Sequence, residues 1–192
     1  LTNVVPTGSG TVGSATSVPV IQYGANGRIL SVSAAAIQTS FSISDGTHSN
    51  TVNGGFGLTV GAGTGTTTFS GAVGGTSALT SLAVTGTGTT SIGGGSITTS
   101  GTQTYSGPVS LSADTSFTTT NNNLTFNGTV NSSNSTARDL TASVGTGSVV
   151  FGDSSSDTVG ATNAIKAISI TGGLDLNAAI TSATSLSVSG AS

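Results

Sequence analysis

Along much of this chain apolar residues recur at every second position. Leu82-Ala83-Val84-Thr85, Ile168-Ser169-Ile170-Thr171, Leu174-Asp175-Leu176-Asn177 and Leu186-Ser187-Val188-Ser189 alternate apolar with small or polar residues, the period of a strand with one buried face. Helix is disfavoured, because Glu and Met are absent and Lys, Arg and Gln are scarce while β-branched residues abound. Only Ala34 to Gln38 and Ala161 to Ala167 could hold a short helical turn. Asn-Gly and Asp-Gly supply the positive φ angles of two-residue turns and so predict two hairpins. The first runs through Val18 to Tyr23, turns near Asn26-Gly27 and returns through Arg28 to Val32. The second is Phe41 to Ser44, then Asp45-Gly46, then Thr47 to Val52.

Two imperfect repeats follow. Phe69-Ser70-Gly71-Ala72-Val73, Tyr105-Ser106-Gly107-Pro108-Val109 and Phe126-Asn127-Gly128-Thr129-Val130 share one pattern, and Val150-Phe151-Gly152 is a decayed copy. A second unit, apolar-x-apolar-x-Gly, occurs at Leu82 to Gly86, Ile168 to Gly172 and Leu186 to Gly190, more loosely at Leu140 to Gly145. Short strands and glycine turns repeating every 20 to 25 residues or so are the sequence form of a β-solenoid or stacked β-fibre. The expected fold is all-β: an elongated fibre of short strands, with β-hairpins in residues 1–60 and β-solenoid-like or stacked β repeats in residues 61–192. Narrow layers of that kind favour small side chains, with one Phe or Tyr per repeat to plug each layer.

Composition sharpens this picture. Gly, Ser and Thr make up 99 of the 192 residues, and only 5% are charged, against about 25% in an ordinary domain. With 34% hydrophobic residues and few prolines, the chain lacks the low hydrophobicity and high net charge of a disordered segment. Arg28, Arg138 and Lys166 are the only cations, and the net charge is -3 with His48 neutral. No basic footprint exists to neutralise phosphates or an anionic lipid surface, so neither nucleic acid nor membrane insertion is expected as a partner. The absence of cysteine removes disulfides, thiol chemistry and thiolate metal sites. Strands stacked in register would also set like charges above one another, which hydroxyl and amide ladders avoid. Because such a stack cannot close on itself, its ends call for a neighbour.

Two resemblances arise from particular stretches. Gly10 to Ile21, followed by Gly27-Arg28-Ile29 and Ala34 to Ile37, resembles the short hairpin repeat of bacteriophage tail fibres, although Gly24-Ala25-Asn26-Gly27 alters its usual turn. Phe41 to Gly46 and Gly54 to Val60 resemble a repeat of long phage and bacterial surface fibres. From about residue 64, Thr66 to Gly75 and Leu79 to Gly86 resemble the repeats of filamentous-haemagglutinin-like adhesins, which implies a parallel β-solenoid. Together these imply a structural subunit of a phage tail or virion fibre that extends a host-attachment device. The implied partners are further copies in a homotrimer, other virion tail or baseplate proteins, and a host surface glycan or protein; the implied location is the virion. The alternative implied by the second resemblance is a bacterial cell-surface adhesin segment that itself binds a host glycan or protein.

Candidate chemistry is sparse. His48, the single histidine, would have to build any Ser-His-Asp arrangement with Asp45 in a turn. Asp153 and Asp157 are the one close carboxylate pair, in a polar loop without the aromatic platforms that accompany sugar cleavage by paired carboxylates. That loop also lacks the ligand count of a calcium-binding loop. Asn123, Asn127, Asn131 and Asn134 begin glycosylation-type triplets, as chance alone supplies in such a composition. Asn121-Asn122-Asn123 reads as a turn or a short stacked amide ladder, and Gly93-Gly94-Gly95 as a turn rather than a phosphate loop, since no Lys follows. No catalytic, cofactor-binding or metal-binding residue is assigned, and neither enzymatic activity nor a cofactor is expected.

Overall fold

A computed structural model describes residues 17–23, 29–36, 40–44, 46–48, 51–181 and 183–190, with side chains from residue 51 onward. It divides into two compact units, 1–39 and 40–192. In the first, Ser17–Tyr23 pairs antiparallel with Ile29–Ala36, with a register shift between Gln22 and Tyr23. This is the first predicted hairpin, whose turn at Asn26-Gly27 and whose preceding residues 10 to 16 lie outside the described residues.

The second unit is a β-solenoid in which every named strand pairing is parallel. Each coil visits three faces. The first face stacks Ser40–Ser44, Gly57–Gly61, Ser81–Thr85, Gln103–Tyr105 and Leu124–Phe126, then the ends of Arg138–Phe151 and Ile165–Leu176. The second is a 7-stranded sheet running from Gly46–His48 through Thr67–Phe69, Thr90–Ile92, Val109–Leu111, Val130–Ser132 and Thr158–Val159 to Ala179–Ile180. The third starts with bridges from Val52 to Val73 and from Val73 to Ile97. It continues through Ser96–Thr98, Thr115–Thr118, the beginnings of the two long strands, and Ala183–Ser189. The column Val52, Val73, Ile97, Phe117, Ala142, Ile170, Val188 therefore marks six coil-to-coil steps.

This topology corrects the second predicted hairpin. Ser40–Ser44 pairs with Gly57–Gly61 and Gly46–His48 pairs with Thr67–Phe69, so these two strands belong to two faces of one coil and are not antiparallel partners of each other. Turn residues fix where a chain bends, and only the partners of the strands decide whether it bends back or around a corner. The short helical turns are corrected as well: Ala34–Ala36 ends a strand, 161–164 is irregular and Ile165 to Ala167 begins another strand. Among the described residues there is no helix.

Alternation gives the stack its core. Gly57–Gly61 and Ser81–Thr85 bury their second and fourth residues, and the three-residue strands from Thr67–Phe69 to Val130–Ser132 mostly bury their first and third. Two inward columns result on the first face, Leu58, Leu82, Gln103, Leu124, Val149 and Val60, Val84, Tyr105, Phe126, Phe151. The rings of Tyr105 and Phe126 stack at 5.3 Å and those of Phe126 and Phe151 at 5.4 Å. Phe117, from the third face, meets Phe126 edge-on at 5.3 Å. Such pairs contribute about 0.5–1.5 kcal/mol each beyond burial. On the first face one ring per layer is thus observed for three successive coils, with Phe117 a second ring in the coil of Tyr105, whereas Phe69 lies on the second face beside Ile92. That placement explains the uneven 36-residue interval between Phe69 and Tyr105.

At the corner between the first and second faces, glycines stack directly. A Cβ on Gly88 would lie 1.9 Å from the Gly65 carbonyl oxygen, and one on Gly107 would lie 2.2 Å from that of Gly88. No other residue fits such an approach of backbones.

Candidate functional site

Among the described residues, those singled out for chemistry do not converge. His48 lies at the end of a second-face strand, and Asp45 lies outside the described residues. The Asp153 to Asp157 loop is a self-contained turn. Asp157 Oδ2 accepts from the backbone N–H groups of Ser154 at 3.1 Å and Asp153 at 3.3 Å, and Ser154 and Ser156 share a 2.9 Å hydroxyl contact. Here one carboxylate closes the loop that carries the other, a structural use of the pair. Among the described residues no group of three or more His, Cys, Asp or Glu side chains is placed to hold a metal.

The asparagine run forms a turn, with Asn121 at φ 55°, but its amides do not stack on one another. Asn121 Oδ1 accepts from Thr146 N–H at 3.1 Å and Asn123 Oδ1 from Ser148 N–H at 3.0 Å, both one coil on, while Asn122 Nδ2 donates to the Ser100 carbonyl at 3.2 Å, one coil back. Asn53 captures Thr76 N–H at 2.9 Å and Asn131 captures Thr162 N–H at 3.0 Å in the same way. Corner N–H groups that no sheet partner can reach are satisfied by an amide from the neighbouring coil. Sequence offered only a weak signal of this, Asn in turns roughly one coil before another turn.

Charge is also stacked, contrary to the expected avoidance. Asp114 Oδ1 accepts from Asp139 N–H at 3.0 Å, and Asp139 Oδ2 pairs with Lys166 Nζ at 2.9 Å. The hydrogen bond to Asp139, with that carboxylate's charge, holds the Lys166 ammonium above the ordinary lysine range. The two acids are tolerated one above the other because a backbone N–H and a cation serve them from the next layers. The pair is exposed, and its contribution to stability is small.

Outward side chains of the third face form a uniform surface. In register, the rungs are Ser96/Thr98, Ser116/Thr118, Thr141/Ser143, Ser169/Thr171 and Ser187/Ser189. Ten hydroxyls with no charge among them can exchange hydrogen bonds with water or a sugar, and they offer no nucleophile activated by a neighbouring base. At the C-terminal edge the inward column ends in the open: Leu176 is 47% exposed, Leu186 45% and Val188 44%. The same side chains one layer earlier, Phe151, Ile168 and Ile170, are buried.

No protein-family model, curated protein or solved structure matches the chain.

Proposed function

We propose that this chain is a structural segment of an extended surface appendage, a phage tail or virion fibre, in which the β-solenoid supplies length and rigidity. The observation that carries this reading is the regular stack of parallel strands, coil upon coil, around continuous inward apolar columns. A repeating stack of this kind extends along one axis by adding coils, which suits a role of length and rigidity. The antiparallel hairpin at Ser17–Tyr23 and Ile29–Ala36 agrees with the tail-fibre-like pattern in that stretch. Self-association, other virion proteins and a non-enzymatic role belong to the same proposal.

One observation favours the alternative adhesin segment on a bacterial surface. The coils close within a single chain, each strand finding its partners one turn away, so the stack requires no homotrimer. The neutral hydroxyl face would then be the contact for a host glycan. Electron microscopy and sedimentation of the full chain test the proposal. Rods or joined particles of a protease-resistant oligomer are expected, and a monodisperse compact monomer that binds a glycan array would move the assignment to the adhesin.

A further inference from the structure

One buried side chain interrupts an apolar column. Gln103 is fully buried where its partners above and below, Leu82 and Leu124, are leucines. Its Nε2 lies 2.9 Å from the Thr118 carbonyl oxygen, 3.2 Å from the Ile97 carbonyl oxygen and 3.3 Å from Thr99 Oγ1. Tyr105 OH lies 3.4 Å from Gln103 Oε1. Ile97 and Thr99 lie in the third-face rung just before Gln103 and Thr118 in the third-face rung stacked on it, so the amide ties two successive rungs together from inside the stack.

The columns around it leave a specific ambiguity. Shifting one coil by a single residue would turn its core outward, but shifting it by two keeps every inward residue inward. Such a slip would set Tyr105 against Leu124 in place of Phe126, an apolar contact either way. The same slip would carry the Thr118 carbonyl about 6.6 Å along the strand, beyond hydrogen-bonding reach of the amide. A buried polar group left without its partner is costly, and fixing register is the best-attested use of such groups. We propose that Gln103 is a register pin of the central coils, acting from inside the stack alongside the corner glycines to select one alignment that the apolar columns alone leave degenerate by two residues.

The absence of cysteine allows a direct test. Thr104 and Thr125 are paired, outward-facing neighbours, and facing residues about 4.8 Å apart suit a disulfide, whereas residues offset by two lie about 8 Å apart and do not. The full chain carrying T104C/T125C, T104C/N123C or T104C/N127C is refolded from urea and oxidised, with Gln103 or with Q103L. With Gln103 only the first pair should cross-link. With Q103L an offset pair should cross-link at least about tenfold more than with Gln103, the factor that corresponds to roughly 1.4 kcal/mol of lost hydrogen bonding. Native cross-links alone in Q103L overturn the proposal. If Q103L does not refold, the cross-links are read in Q103M. Failure of both to regain the β circular-dichroism signal also overturns it, since the amide would then serve stability instead of alignment.

Discussion

Replacing Gly107 by Ala places a methyl group where no space exists. Its Cβ would lie 2.2 Å from the Gly88 carbonyl oxygen and 3.1 Å from the Thr87 carbonyl carbon, and both atoms are backbone, unable to rotate away. Relief requires the two coils to part by about 1 Å at this corner, close to ordinary van der Waals separation. Two bonds join those coils on either side of Gly107, from Ser106 N–H to the Val84 carbonyl at 2.9 Å and from Thr90 N–H to the Pro108 carbonyl at 2.8 Å. Losing both costs about 2 kcal/mol, and overpacking adds about 1–3 kcal/mol, so G107A should destabilise the chain by about 3–5 kcal/mol. Urea unfolding followed by circular dichroism should show a midpoint lower by about 2 M at a slope near 2 kcal/mol/M. Gly55 is the control, because a Cβ there meets nothing within 4 Å, and G55A should stay within about 0.5 kcal/mol of the parent. A G107A midpoint as close to the parent as that of G55A would refute the close stacking of glycines and the coil register it implies.

Two further outcomes are expected. The Thr90 hydroxyl is buried without a hydrogen-bond partner, so T90V should raise stability by about 1 kcal/mol in calorimetry; a loss of similar size would reveal a partner for that hydroxyl. Burial holds the Tyr105 phenol well above its usual ionisation range, so the folded chain retains a proton that the unfolded chain releases above about pH 10. Stability should therefore fall by about 1.4 kcal/mol per pH unit from there towards the folded value, and alkaline urea titrations of Y105F should lack that component.

Much of the fold was legible in local patterns. Alternation in Leu82 to Thr85 and Ile168 to Thr171 became strands with one buried face, because a period of two needs no knowledge of partners. The apolar-x-apolar-x-Gly copies at Leu140, Ile168 and Leu186 stack in one column of the third face, yet the similar copy at Leu82 lies on the first. Local similarity identifies a strand and its corner, whereas the face depends on the count of corners since the last turn. Coil lengths vary: successive partners are 24 residues apart from Gly57 to Ser81, 21 from Leu82 to Gln103 and 25 from Leu124 to Val149. Phe117 escaped the aromatic pattern because it enters the same ring cluster from another face. The buried cluster at Gln103 gave no sequence signal, since a lone Gln amid Thr and Tyr reads as surface.

By itself the sequence determined the chemistry available and the local conformation. Scarce charge, absent thiols, β-branched residues and frequent glycine leave a chain that can extend, bend and stack but holds few reactive groups. Only the tertiary structure decided who pairs with whom. Ser40–Ser44 and Gly46–His48 each take a parallel partner a full coil away, because backbone groups at both edges of a strand are satisfied by the coils above and below, and that choice is made over the whole stack rather than at the turn. The same collective pairing places the amides of Asn121 and Asn123 on the following coil and brings Gln103 to the Thr118 carbonyl, contacts that exist only once the layers are aligned.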